Sequence, residues 1–235
     1  ELEWKRFNKG KPPVTKRSPE KVIEEIRELS KQGYKEFSII DDQFVWEKDR
    51  TMKLLNGLKE LNIKYGILAR ADRLTDEEVI KALAESGCQY VDIGVESFDQ
   101  KVLDYIRKGM KIECVYTAID LLVKYGITPK VNIMFGTAPV ETRESIINTI
   151  KETKALPIDY CMFSIATPFP GTDFEKHVKE LGWMTDNGEG DNIFENLNPA
   201  KRSLINPGQL TDKELESLTK RANREFYLRP SILAK

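Results

Sequence analysis

The chain has 235 residues, of which 40% are hydrophobic and 32% charged, with a formal net charge of −1. That balance suits a globular protein with its own core and leaves no global field favouring nucleic acid, a membrane surface or a strongly charged substrate. No apolar run reaches the ~18–20 residues of a membrane span, and residues 1–11 are too polar for a signal peptide, so a cytoplasmic protein is expected.

Residues 1–17, with Pro12 and Pro13, read as a loop. Ser18-Pro19-Glu20 then starts a helix, with Ser18 as N-cap and Pro19 in the first turn. Val22, Ile23, Ile26 and Leu29 form its apolar face, and Gly33 stops it. A strand is predicted over 36–40, a helix over 48–61 and a second strand over 65–69. Thr75 is read as the cap of a helix that runs to Glu85 and stops at Gly87. A third strand covers 90–95, helices follow over 99–107 and 112–125, and a fourth strand covers 130–135. After a turn at 136–140 comes a helix over 142–155, then a fifth strand over 160–166 that opens into Pro168-Phe169-Pro170-Gly171. Past Gly182 the acidic, Gly- and Asn-containing stretch 186–192 reads as a connector. A last helix over 211–227 carries a capping box, Thr211 with Glu214.

Strands separated by helices argue for parallel βαβ units with right-handed crossovers. Periodicity does not choose between a doubly wound sheet and a barrel. Cys88, Cys114 and Cys161 show no CxxC spacing and are expected to be buried thiols. His177 is the only histidine and lies in a polar helical stretch, so a surface or packing role is expected, and His-centred acid/base or metal chemistry is not.

In parallel α/β folds functional groups gather at the carboxyl ends of the strands. Asp41 and Asp42, then Arg70, then Glu96 and Ser97, then the Gly136–Thr142 turn occupy that end of four successive strands. Each type suits a zwitterionic nucleoside ligand. A carboxylate accepts from an ammonium group, Glu96 accepts from two ribose hydroxyls, and Arg70 forks a carboxylate. The Gly136-Thr137-Ala138-Pro139 turn offers backbone N–H and C=O at close range.

The ordered motifs "FSIIDDQF", "ILARADRL", "GCQYVDIGVES", "LDYIRKGM", "VNIMFGTAPVET" and "PFPGTDFEKHVKELG" resemble radical S-adenosylmethionine (SAM) enzymes, closest to the cobalamin-binding branch. Elongator-like enzymes and methylthiotransferases are similar but less close. The resemblance spans about 18–182, and "FYLRP" at 226–230 is similar to the same branch. It implies an α/β fold, a partial (β/α)6 TIM-type barrel. Strands two to six would be present here, the barrel would occupy 18–185, and a C-terminal extension with one helix would occupy 186–235. It also implies a [4Fe–4S] cluster on a CxxxCxxC segment of the first strand, which binds SAM for cleavage to a 5′-deoxyadenosyl radical. Methylcobalamin in an upstream domain and an electron donor such as flavodoxin or ferredoxin follow for that branch, with a small-molecule substrate.

By the same resemblance Asp41, Asp42 and Gln43 stand where the family holds the SAM amino group. Glu96 and Ser97 stand at the ribose, and Arg70 stands at the SAM carboxylate or the substrate. Gly136, Thr137 and Pro139, with Thr167 and Pro168, flank the adenine. The sequence departs from the family in two places. No CxxxCxxC occurs, so the segment is expected upstream of Glu1 and this chain alone is expected to be inert in SAM cleavage. The turn "GTAPVET" replaces a shorter Gly-x-Pro-Gly-Glu-Thr. Other readings are an RNA-modifying methylthiotransferase or elongator-like enzyme, a barrel that has lost its cluster and serves as a scaffold, and a (β/α) enzyme using Asp41, Asp42 and Glu96 as an acid/base or Mg²⁺ site.

Overall fold

The computed structural model describes residues 16–185 and 202–234. Most of the N-terminal loop and the connector at 186–192 therefore lie outside the described residues. The chain order is α1 (Pro19–Lys31), β1 (Glu36–Ile39), α2 (Lys48–Lys59), β2 (Lys64–Ala69), α3 (Glu77–Glu85) and β3 (Cys88–Glu96). It continues with α4 (Gln100–Tyr105), α5 (Glu113–Lys124), β4 (Thr128–Phe135), α6 (Arg143–Ala155), β5 (Tyr160–Ile165), α7 (Asp173–Glu180), α8 (Asp212–Tyr227) and α9 (Pro230–Leu233).

The five strands pair in parallel in the order β1-β2-β3-β4-β5. A doubly wound sheet would reverse its order part-way, because its helices cover both faces. An unreversed order with right-handed crossovers puts the helices on one face, which is barrel construction. Among the described strands β1 and β5 are both edges, so the barrel is partial and open.

Alternation along the strands divides the sheet into two faces. Val91, Ile93 and Val95 on β3, and Val131, Ile133 and Phe135 on β4, are fully buried. Between them Asp92, Glu96, Lys130, Asn132 and Met134 are only half-buried and line the opposite, concave face. Helices α3, α5 and α8 bury Ile80, Leu83, Ile119, Leu122, Leu215 and Phe226 in the core.

Local capping follows the sequence closely. The Ser18 hydroxyl accepts from Lys21 N, and Thr211 with Glu214 forms the expected capping box. At α3 the cap is Asp76, not Thr75: the Asp76 carboxylate accepts from Glu78 N at 3.0 Å. Both residue types cap well, but Asp76 is also held by Lys48, whose ammonium lies 2.8 Å from it. The C-terminal extension has a second, one-turn helix, α9, begun by Pro230 at a position that tolerates a missing N–H.

The "FYLRP" segment fastens α8 to the sheet. Tyr227 Oη accepts from Cys161 N at 3.3 Å and donates to Cys161 O at 2.7 Å, so one hydroxyl satisfies two backbone groups on the outer strand β5. The Arg229 guanidinium lies 4.0 Å over the Phe226 ring and donates to the carbonyls of Lys154 and Ile158.

Gly66 shows how the concave face is packed. A Cβ there would stand 2.0 Å from Cζ of Tyr90, whose ring crosses β2 so that its hydroxyl meets Ser38 Oγ at 2.9 Å. Gly66→Ala is expected to lose about 1–3 kcal/mol of stability by overpacking, and Gly66→Ala with Tyr90→Leu should recover most of it. Urea denaturation of the three proteins checks this; an unchanged midpoint in Gly66→Ala would show that the ring is not confined.

Candidate functional site

Because all five strands are parallel, the segments that follow them emerge on one rim. After β1 the chain bulges through Asp41, Asp42 and Gln43, then is pinned by buried Phe44 and Val45, with Phe44 N donating to Leu68 O at 3.2 Å. Asp41 and Asp42 are exposed. Gln43 Nε2 donates to Val45 O at 2.7 Å, while its Oε1 is enclosed and has no partner among the described residues. An enclosed amide oxygen costs stability unless a donor reaches it.

After β2, Arg70 is already engaged on two of its three nitrogens. Its Nε donates to Asp72 Oδ1 at 2.9 Å and its Nη2 to Lys108 O at 2.6 Å. After β3, Glu96 has φ +70°, and Ser97 N donates back to Val95 O at 3.0 Å, a three-residue γ-turn of the rare positive-φ kind. The turn coincides with a register shift between Gly94 and Glu96 against β4. It turns the Glu96 carboxylate back over Gly94, where an added Cβ would stand 2.8 Å from Glu96 Oε1. Lys108 Nζ meets that same oxygen at 2.8 Å; the two side chains are 17% and 18% exposed.

Lys108 is a site residue that sequence reasoning passed over, although it lies within the quoted "LDYIRKGM". Arg107 and Gly109 on either side both have positive φ, and Lys108 N donates to Leu103 O at 2.9 Å. Gln100 holds the far side of this loop, donating to Met110 O and accepting from Ile112 N. Asp72, Arg70, Lys108 and Glu96 thus form one chain of contacts across the β2 and β3 ends of the rim.

Ser97 does not join them. Its side chain is buried and turns toward α6, accepting from Asp99 N at 3.1 Å and lying 3.4 Å from Thr149 Oγ1. It ties the loop before α4 to α6 and fixes Glu96 from behind.

After β4, Gly136 (φ +82°) opens the turn, and Thr142 closes it by capping α6. Glu141 organises the turn from within. Its buried carboxyl accepts from the backbone N–H of Gly136 and Thr137, and burial pushes its pKa up to about 7 against the pull of those bonds, with Asp99 adding to the rise. Thr137 Oγ1 is enclosed without a partner among the described residues. Pro139 is half-buried. Phe135 pairs with Ile165, and Ala166 N donates to Phe135 O at 2.8 Å, so the Gly136 turn and the Thr167–Pro168 segment leave the sheet side by side. Pro168 is buried, and Thr167 Oγ1 donates to Ile165 O at 3.4 Å.

The family description "Radical SAM superfamily" matches residues 5–152. The chain belongs to the radical SAM superfamily. An uncharacterized methyltransferase of Pyrococcus horikoshii, PH0819, is 33% identical over 225 residues, 93% of this chain and 46% of that protein. A bacteriochlorophyllide d C-8(2)-methyltransferase of Chlorobaculum tepidum is 29% identical over 151 residues, 63% of this chain and 33% of that one. Among solved structures, the radical SAM methyltransferase TsrM of Kitasatospora setae, bound to tryptophan substrate and aza-SAM, superposes with a TM-score of 0.74 at 18% identity. The match covers 92% of this chain and 47% of TsrM. TsrM has also been solved with cobalamin and a [4Fe–4S] cluster (TM-score 0.67, 21% identity, 86% and 40% covered). These structures show the shared radical SAM fold; the chain spans less than half the length of the relatives it matches.

Radical SAM enzymes use SAM and a [4Fe–4S] cluster. The rim suits the first: exposed carboxylates after β1, Glu96 at the mouth, and two enclosed polar oxygens, Gln43 Oε1 and Thr137 Oγ1, lacking donors. The cysteines described here do not suit the second. Cys88 begins β3, Cys114 lies in α5 and Cys161 in β5. Burial pushes the Cys88 thiol up to about 12 and raises Cys161 as well, so neither is a ready thiolate. Among the described residues no three Cys, His, Asp or Glu side chains converge. Asp41, Asp42 and Glu96 therefore do not form a three-carboxylate cluster. The expected buried state of the thiols holds for Cys88 and Cys161, whereas Cys114 is half-buried. His177 has the packing role expected, bonded to Tyr105 Oη and set edge-on against Trp183.

Glu141 gives this radical SAM rim a pH signature. The folded carboxyl keeps its proton up to about pH 7, while in the unfolded chain it is released near 4.5. Between those values the folded state binds more protons, so this contribution to stability falls as pH rises from about 4.5 to 7. Relative to Glu141→Gln, the wild type is expected to lose up to about 3 kcal/mol across that window. Denaturant titrations at pH 5 and 8 test this; parallel behaviour of the two proteins would show that Glu141 ionises normally.

Proposed function

We propose that residues 18–185 form the SAM-binding partial barrel of a longer radical SAM enzyme, with cluster thiolates supplied from outside the residues described. Its reaction is methyl transfer to a small-molecule substrate, in the cobalamin-dependent manner of the branch it resembles. Reduction by a flavodoxin or ferredoxin completes this reading. Support comes from family membership, from a methyltransferase as a 33%-identical relative, and from the fold shared with TsrM, which binds tryptophan as substrate.

The observation that carries the proposal is Glu96. A γ-turn of positive φ holds its carboxylate at the barrel mouth, steadied by Lys108 and backed by buried Ser97. A carboxylate so held accepts from both hydroxyls of a ribose. Asp41, Asp42 and the Gln43 amide oxygen take the ammonium end of the methionyl group, and the Gly136–Pro139 turn with Thr167 and Pro168 flanks the base. Bound SAM supplies an adenosyl radical or a methyl group; this chain binds and orients it and keeps water from the mouth. Arg70 acts one step removed, by holding the Lys108 carbonyl.

Two measurements test the reading. Full-length protein, reconstituted anaerobically and reduced, is expected to convert SAM to 5′-deoxyadenosine or S-adenosylhomocysteine; neither product above the no-protein control would overturn it. In the same protein Glu96→Ala should weaken SAM binding about ten- to hundredfold, as loss of hydrogen bonds to a charged group implies, with a smaller loss of folding stability. Equal losses in binding and stability would assign Glu96 to the fold instead.

A further inference from the structure

Below the rim, the concave face carries charges that neither the core nor the nucleoside site uses. Register sets Asp92 on β3 opposite Lys130 on β4, and Lys130 opposite Tyr160 on β5. Opposite charges so placed ordinarily join across the strands. Here they do not. Asp92 Oδ1 accepts from Asn132 Nδ2 at 2.7 Å, while Lys130 Nζ lies 3.6 Å over the centroid of Tyr90 and 5.7 Å from that of Tyr160. Among the described residues no carboxylate pairs with Lys130. These groups border an open cleft of about 180 Å³, walled by Tyr160, Met162 and Tyr227.

We propose that this cleft binds a small carboxylate-bearing molecule, with the Lys130 ammonium as its charge partner and Tyr160 and Met162 as its apolar walls. Three features argue for that class. An ammonium resting on aromatic rings keeps its charge un-neutralised, so an incoming carboxylate forms a charge-assisted bond without first breaking an ion pair. Asp92, one strand away, opposes multiply charged anions and favours a monoanion or a zwitterion over phosphate. The volume holds about six waters, the scale of benzoate or a short α-amino acid.

The cleft is separate from the rim and lies below it on the same face. Glu96 pairs in register with Ile133, Gly94 with Asn132 and Asp92 with Lys130, so the ammonium lies further down the same wall. A molecule held there would face the barrel mouth from below and so would present a substrate to bound SAM. That last step rests on the proposed function; the binding itself does not.

The test is a ¹⁵N NMR titration of the chain with sodium benzoate, without SAM, and with sodium phosphate at matched ionic strength. Saturable shifts are expected with benzoate at the Asn132 side-chain amide and at the backbone of 130–132 and 160–162. Phosphate should give only linear drift. Lys130→Met should weaken benzoate binding at least tenfold, and Lys130→Arg, which keeps the charge, should retain it. Linear drift with benzoate in the wild type, or unchanged affinity in a folded Lys130→Met protein, would overturn the proposal. Because SAM is absent, this outcome is independent of the Glu96 experiment, and either reading can fail alone.

Discussion

Parallel pairing of five strands in chain order is the constraint on which this structure depends. Among the described residues it sends the segments that follow the strands to one rim and packs α3, α5 and α8 on one face. The other face keeps half-buried polar and charged side chains beside an open cleft. On β3 and β4 the alternation is complete, with valine, isoleucine and phenylalanine toward the helices and aspartate, lysine and asparagine toward the hollow. A sheet covered on both faces would bury those charges at a cost of several kcal/mol each. A one-sided sheet keeps them beside an open space in which a ligand can meet them.

On that rim the charged groups act as a connected set. Asp72 orients Arg70, Arg70 holds the Lys108 carbonyl, and the Lys108 ammonium steadies Glu96. The strain of a positive φ at Glu96 persists because its neighbours over-determine it: Gly94 leaves space beneath the carboxylate, and Ser97 is tied to Asp99 N beside Thr149 of α6. On the β4 side Glu141 performs the equivalent task with backbone N–H groups, shaping the Gly136 turn from inside. Rigidity at both ends of the mouth is what preorganised ligand binding requires.

Features decided within a few residues were legible. The five strands, their helices, and the caps Ser18 and Thr211 could be read from spacing because each depends on period, one turn of helix or one polar side chain. The placing of Asp41, Asp42, Arg70, Glu96 and the Gly136 turn on one rim was legible too, since the carboxyl ends of parallel strands share a side. The direction in which each side chain then turns was not. Ser97 and Glu96 are adjacent, yet one faces α6 and the other the mouth, because the γ-turn between β3 and α4 separates them. Lys108 was hidden in a loop whose role depends on Arg70, 38 residues earlier.

By itself, then, the sequence determined the alternation of strands and helices, the residues that cap and stop them, and the polar character of the rim. These follow from backbone geometry and nearest-neighbour hydrogen bonding. Tertiary structure alone decided that the sheet runs without reversal, that Arg70 positions Lys108, that Glu141 is buried and its pKa raised, and that Asp92 and Lys130 stand side by side without pairing. Each of these depends on register between segments distant along the chain, and register is settled by how whole faces pack.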